Sequence, residues 1–153
     1  MSGSVVDRLW RVGLRVAYRI LLVYWFLVRP RHTGAGVAVW HGDRLLMIRN
    51  SYRDSLCLPA GGLRRSERPI DAAVRELREE VGIEVGPEAL HYAGELVDRS
   101  AYVEDHLHVF ELHCDEVPTP RVDGREVIWA GFMTPAEALE LGAVRVTRLY
   151  LTR

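Results

Sequence analysis

Between Pro59 and Ile83 the chain reads PAGGLRRSERPIDAAVRELREEVGI, and this stretch narrows the choice of fold more than any other. Pro69 suits the first turn of a helix and Gly82 its C-terminal stop. Between them Ile70, Ala73, Val74, Leu77 and Val81 recur at helical spacing and make one apolar face. The spacing predicts a helix over 69–81, entered from a loop at Pro59 to Gly62. Glu76, Glu79 and Glu80 fall outside the apolar face, with Glu67 just upstream. Like charges three or four residues apart cost roughly 0.2–0.5 kcal/mol a pair, so the crowding asks for a cause. Two causes are open. Arg75 and Arg78 can offset the glutamates on a solvated face, Arg75 and Glu79 lying one turn apart. Alternatively a hard divalent cation neutralises them, since Mg2+ prefers oxygen ligands from carboxylates, water and phosphate.

The flanking segments read as short strands. AGVAVW and RLLMIRN are β-type runs joined at His41-Gly42-Asp43, the pattern of a hairpin. ALHYAGELVD, HLHVFELHC and EVIWAGFM are further strand candidates, and DEVPTPRVDG reads as an exposed loop. Thr134-Pro135 opens a short helix, PAEALEL, with Thr134 as its N-cap. Strands mixed with helices, without a repeat, give an α/β or α+β domain. At 153 residues the chain suits one such domain, and 48% hydrophobic with 27% charged residues is ordinary for a globular protein. Cys57 and Cys114 show no zinc spacing and read as two buried free thiols in a reducing cytoplasm rather than as a disulfide.

The loop and helix together resemble the signature of the Nudix hydrolases. Gly61 is followed by five residues and then Glu67. Seven residues later come Arg75-Glu76, Leu77, Arg78, Glu79-Glu80, Val81, Gly82 and Ile83. Every specified position of the signature is matched without an insertion. Two neighbouring positions depart from the commonest family wording: the loop is Pro59-Ala60-Gly61-Gly62, and Ser66 replaces the glycine before Glu67. Ala60 can still present a backbone carbonyl to a metal, although it is less free than glycine to adopt a positive φ. The resemblance extends more loosely from about Gly34 to Leu141. It implies the Nudix fold, a mixed β-sheet sandwiched between helices in an α/β/α arrangement.

For function, the resemblance implies Mg2+-dependent hydrolysis, with Mn2+ as an alternative ion. The bond broken is the diphosphate linkage of a nucleoside diphosphate joined to another group. Glu76 and Glu80 are implied as metal ligands, Glu79 as a ligand or the base, and Glu67 as an outer ligand or a partner of Arg75. Ala60 is implied as a carbonyl ligand and Arg75 as the residue that orients the glutamates. Gly61 and Gly62 let the backbone approach phosphates closely. Glu126 and Glu104 are further candidates for the base or an extra ligand, each weighed against an ordinary loop glutamate. His106 and His108 share one strand face and are weighed as pocket lining against a solvated face. Tyr52, Trp40 and Arg49 are weaker candidates for stacking on a planar group. The competing readings are a non-catalytic nucleotide-sensing module of the same fold and a membrane-docked adaptor.

Charge is unevenly spread along the chain. Residues 1–32 carry six arginines and one acid, Asp7, whereas the remainder is acidic, which argues against nucleic acid as a partner. The head, VVDRLWRVGLRVAYRILLVYWFLVRPR, is too interrupted for a signal peptide or a membrane span. Arg8, Arg11, Arg15 and Arg19 form one basic stripe. Leu9, Val12, Leu14, Val16, Ile20 and Leu21 fill much of the rest, with Trp10, Tyr18, Tyr24 and Trp25 as aromatics. That pattern over residues 5–28 fits a helix lying in a membrane interface. The alternatives are packing on the domain or on a second copy in a homodimer. Arg29-Pro30-Arg31 ends the helix. The expected division is a basic amphipathic helix over 1–31 and a Nudix domain over 32–153. The expected location is the cytoplasm, peripheral on the inner face of the membrane where the head docks.

Overall fold

The structure, a computed structural model, describes residues 5–28, 31–99 and 104–153, without the side chains of residues 5, 25 and 28. The expected helix end at Arg29-Pro30 and the Trp25 side chain lie outside the described residues. Strands β1 (Arg31–His41) and β2 (Arg44–Asn50) turn at Gly42, whose φ of 58° is in the left-handed region that glycine tolerates. The expected hairpin pairs only beside this turn, Trp40 with Leu45 and His41 with Arg44. Beyond it the arms splay, and the following segment wedges between them. Strand β3 (Leu56–Cys57) pairs with β2, and β4 (Ala60–Gly62) pairs with β1.

Ala60–Gly62, expected as a loop, is therefore a strand. The reason lies in its partner. A Cβ on Gly34 would come 2.9 Å from the Gly61 carbonyl oxygen, and one on Gly36 would come 3.0 Å from the Ala60 Cβ. Two bare positions let the backbones close.

Strands β5 (His91–Asp98), β6 (Glu104–His113) and β7 (Val127–Met133) complete a mixed seven-stranded sheet of order β3-β2-β1-β6-β5, with β7 on β2. β1 and β6 run parallel and in register from the pair Arg31–Glu104 to the pair Trp40–His113. Strand alternation sends Ala35, Val37 and Val39 to one face and Ala38 to the other. The first face packs on helix α2 (Pro69–Val81) through Ala72, Ala73, Leu77 and Val81. The second packs on α3 (Pro135–Glu140) and α4 (Arg145–Leu151) through Ala138 and Tyr150. This is the expected α/β/α sandwich. Thr134 caps α3 in a reciprocal box with Glu137, also as expected.

Helix α1 spans Val5–Val28 and lies against the domain. Its arginine stripe is divided between the domain and solvent. Arg11 Nε donates to the Gly124 carbonyl and Arg15 Nε to the Ser51 carbonyl, each at 2.9 Å, while Arg125 Nε reaches Asp7 at 3.1 Å. Main-chain carbonyls at two loops supply the pull that turns these arginines inward. The opposite side of α1 is apolar and open, with Leu9, Ile20 and Leu27 each about two-thirds exposed or more.

Candidate active site

Helix α2 begins at Pro69 and ends at Gly82, whose φ of 66° lets its N–H reach the Arg78 carbonyl. One of its three glutamates departs from expectation. Glu80 is 8% exposed and belongs with the buried face of Leu77 and Val81. Its carboxylate is drawn in by the Ala60 N–H, which donates to Oε2 at 2.8 Å from the edge strand β4. Burial pushes the Glu80 carboxyl up to about 9; the Ala60 N–H opposes this, and the Glu76 and Glu126 charges add to it.

Glu76 is one turn away and nearly covered, its side chain 12% exposed. It lies over Gly61, where a Cβ would land on the Glu76 carboxylate. Burial raises its carboxyl too, and the hydrogen bond from Arg75 acts against that rise. Arg75 is the hub of the outer carboxylates. It grips Glu67 with two 2.8 Å hydrogen bonds, donates to Glu76 and to the Gly62 carbonyl, and reaches Glu79 at 3.4 Å. The Arg75 hydrogen bond, followed by the Arg64 N–H, holds the Glu67 carboxyl down to about 2. Glu79 is also bonded to Arg64 at 3.2 Å. The two causes offered for the crowding divide its members. Arginines answer Glu67 and Glu79, whereas Glu80 is buried against a neutral donor.

Glu126 precedes β7 and is brought to the same site. Its carboxylate is influenced by Tyr52, and its charge acts on Glu76 and Glu80. Loss of part of its water shell and the neighbouring Asp123 raise its carboxyl, with Tyr52 pulling the other way. Glu104 is placed elsewhere, against His106 at 2.9 Å and between Arg31 and Arg99. His106 and His108 do share a face of β6, but the neighbouring cleft is lined by Asp105 and Leu107 from the opposite face. His106 lies between Glu95 and Glu104, and His108 against the Tyr92 hydroxyl.

That cleft encloses about 430 Å3 and runs from Ala60, Gly61 and Gly62 to Asn50, Tyr52 and Arg53. Tyr52 is the stacking candidate that reaches it. Trp40 is held on the other layer by a 2.9 Å bond to the Tyr150 hydroxyl, and Arg49 lies over Trp129. Tyr18 of α1 completes the cleft wall and was hidden from sequence reasoning, because it joins the cleft across more than thirty residues of chain. Arg53 Nη2 donates to the Tyr18 hydroxyl at 3.2 Å, and the Tyr18 and Tyr52 rings are 5.2 Å apart. Cys57 and Cys114 are free, as expected, though half-buried; burial pushes the Cys57 thiol up to about 12.

A family model described as the NUDIX domain matches residues 30–152. The chain belongs to the NUDIX hydrolase family. A probable DHNTP pyrophosphohydrolase of Lactococcus lactis subsp. cremoris (strain MG1363) is 42% identical over 48 residues, 31% of this chain and 29% of the relative. The chain therefore matches less than a third of that relative's length. The crystal structure of a MutT NUDIX hydrolase from Burkholderia pseudomallei superposes with a TM-score of 0.69 at 22% identity, over 80% of this chain and 96% of that one. A bifunctional NMN adenylyltransferase/ADP ribose pyrophosphatase from Francisella tularensis, complexed with AMP and Mn ion, gives 0.66 at 21% identity, over 93% of this chain and 45% of that one. At these identities the structures attest the NUDIX fold alone.

Within the NUDIX signature, Ser66 takes φ 59°, so the glycine of the commoner wording has a backbone reason that serine meets under strain. Ala60 needs no such conformation and meets the site through its N–H. Among the described residues no three acidic, histidine or cysteine side chains are drawn into a ready-made metal cage. Glu76 and Glu80 nevertheless suit a cation. One occupies the space that Gly61 leaves bare, and the other is buried beside a neutral amide.

Proposed function

We propose that this NUDIX protein is a divalent-cation-dependent pyrophosphohydrolase, using Mg2+ or Mn2+, that acts on a nucleoside diphosphate linked to another group. The observation that carries the proposal is Glu80, a carboxylate removed from water with the Ala60 amide as its hydrogen-bond partner. Such burial is unfavourable without a counter-charge, and a cation shared with Glu76 supplies one. When bound, that ion would neutralise charge on the phosphates and acidify water. The name of the Lactococcus relative supports the reaction, and the Mn ion of the Francisella complex supports the ion.

The chain's own residues supply position and a proton acceptor. Arg75 fixes Glu76 and Glu67 from one guanidinium. Gly61 and Gly62 keep the strand edge bare for the approach of phosphate. Glu126 takes a proton from the attacking water as its oxygen bonds to phosphorus. The bridging P–O bond breaks, and the bridging oxygen leaves on the other phosphate. Glu79, engaged by two arginines, is less open to that role than Glu126.

The test is a phosphate- and pyrophosphate-release screen across nucleoside triphosphates, nucleotide sugars, dinucleoside polyphosphates and nucleotide-activated lipids, with and without Mg2+ or Mn2+. Cation-dependent turnover of one class, cut by orders of magnitude in Glu80→Gln, is the expected result. No turnover with nucleotide binding intact would replace the enzyme by a sensing module.

The open face of α1 adds a second partner to this reading: a lipid surface with anionic headgroups on the inner side of the membrane. No helix among the described residues is long and apolar enough to cross a membrane. The outward stripe of Leu9, Val16, Ile20, Val23 and Leu27 is uncharged, and Trp10 and Tyr24 stand exposed on its flank. Arg8 and Arg19, three turns apart and both exposed, lie on the other flank where headgroups would be. The protein should co-sediment with phosphatidylglycerol vesicles and lose this in Ile20→Glu. Self-association in sedimentation, without vesicle binding, would make the same face a homodimer seam.

A further inference from the structure

The matched NUDIX region begins after α1, yet the inward face of α1 holds both loops on which Glu126 depends. Asp7 accepts from Arg125 Nε at 3.1 Å, and Arg11 Nε donates to the Gly124 carbonyl at 2.9 Å. These two bonds grip the chain immediately before Glu126. One turn further along α1, Arg15 Nε donates to the Ser51 carbonyl at 2.9 Å. The Ser51 N–H in turn donates to the carbonyl of Glu126 at 2.7 Å. Near the next turn, Tyr18 packs on Tyr52 and accepts from Arg53, and Tyr52 acts on the Glu126 carboxylate. Residues 7, 11, 15 and 18 recur every three or four positions and so share one side of the helix.

We infer that α1 is a positioning element of the active site: Asp7, Arg11, Arg15 and Tyr18 together fix the Glu126 carboxylate in the same site as Glu76 and Glu80. The inference rests on Glu126 as the proton acceptor and requires nothing of the outward face of α1. A carboxylate borne on a surface loop samples many positions, and a misplacement of about 1 Å can cost about 100-fold in rate. The loop has local order of its own, since Asp123 accepts from the N–H groups of Arg125, Glu126 and Val127. That turn shapes the loop, and the Arg121 N–H ties its start to the Val81 carbonyl of α2 at 2.7 Å. Helix α1 adds the restraint nearest Glu126, through backbone at Gly124 and Ser51 and through contacts at Tyr18, Arg53 and Tyr52.

The test uses the full chain carrying Arg11→Met with Arg15→Met, in wild-type and Glu126→Gln backgrounds. Mn2+ alone is the first probe. Bound Mn2+ should broaden the amide signals of Ala60, Gly61 and Glu126 in the wild type. In the double variant broadening should persist at Ala60 and Gly61 and weaken at Glu126. With the substrate found by the release screen, kcat should fall about tenfold or more while KM stays within about twofold. In the Glu126→Gln background the same pair should cost nothing further, the non-additivity of residues acting through one group. Equal losses in both backgrounds, or unchanged broadening at Glu126, would overturn the inference. Tyr18→Phe, which keeps the ring and removes the hydroxyl that accepts from Arg53, repeats both readouts should the double variant not fold. A wild type that binds Mn2+ but turns over nothing defeats the enzyme reading, while the broadening still decides the positioning.

Discussion

Arg75 and Glu67 meet fork to fork, with Nε 2.8 Å from one carboxylate oxygen and Nη2 2.8 Å from the other. The same guanidinium also holds Glu76, so its orientation is transmitted to a residue facing the proposed cation. Arg75→Lys keeps the charge and loses the fork. Turnover should fall about 10- to 100-fold, the range for partners that orient metal-binding groups, and Glu67→Gln should fall alongside it. Wild-type kcat in Arg75→Lys would mean that Glu76 needs no such alignment.

Gly61 leaves room for the Glu76 carboxylate. Gly61→Ala should displace that flexible end and lower affinity for Mn2+, with the sheet retained because Gly61 does not adopt a positive φ. Calorimetric titration with Mn2+ together with circular dichroism separates the two effects. Unchanged Mn2+ affinity would remove Glu76 from the set of ligands.

Ser66 carries a left-handed φ of 59°. Ser66→Gly should relieve steric strain of about 1–2 kcal/mol, reduced by the greater freedom of glycine in the unfolded chain, for a net gain of about 0.5–1 kcal/mol. That is a rise of about 1–4 °C in Tm for a domain of this size. A fall in Tm would show that the serine side chain contributes more than its backbone costs.

His106 has Nε2 2.9 Å from Glu104 and Nδ1 2.7 Å from Glu95, so both ring nitrogens face acceptors and the doubly protonated ring satisfies both. The Glu104 contact, then the Glu95 contact, raises its pKa above the ordinary value. With the folded value above the unfolded one, His106 contributes its full stability below pH of about 6.5. That contribution is lost as pH rises through the higher folded value. An imidazole titration by NMR should place the midpoint above that of a free histidine, and Glu104→Gln should lower it. A midpoint at the ordinary value would show that the carboxylates point elsewhere in solution.

The parts of the molecule that sequence reveals are those fixed by neighbours along the chain. Pro69 and Gly82 bound α2, Thr134 caps α3, and the apolar positions of α2 pack where their spacing says. What escapes is set by distant partners. Ala60–Gly62 becomes a strand because Gly34 and Gly36 lie opposite, and Glu80 is buried because the Ala60 amide waits for it. Helix α4 starts at Arg145, and its N-cap residue Val144 offers no side-chain cap, so no local sign marks its beginning. In the site, the signature residues were legible as a group, whereas Glu126 was one candidate beside Glu104 until the fold set Glu104 against Arg31, Arg99 and His106 and tied the Glu126 backbone to Ser51. Tyr18 was legible only as an aromatic of the N-terminal helix, with no local sign that it would reach the cleft.

The parallel pairing of β1 with β6 joins segments about seventy residues apart, and α2 lies wholly within the loop that this pairing closes. Closing so long a loop is entropically unfavourable until both strands are present to reward it. During synthesis, α2 therefore emerges after β1 and β2, which supply part of the cover for its apolar face, and before β6, which completes that cover through Phe110 and Leu112. Until β6 arrives, β1 presents an open edge able to pair with another nascent chain. Glu126, which follows β6 in the chain, joins the candidate site later still, and slow translation through β5 would lengthen the interval in which the edge of β1 is open.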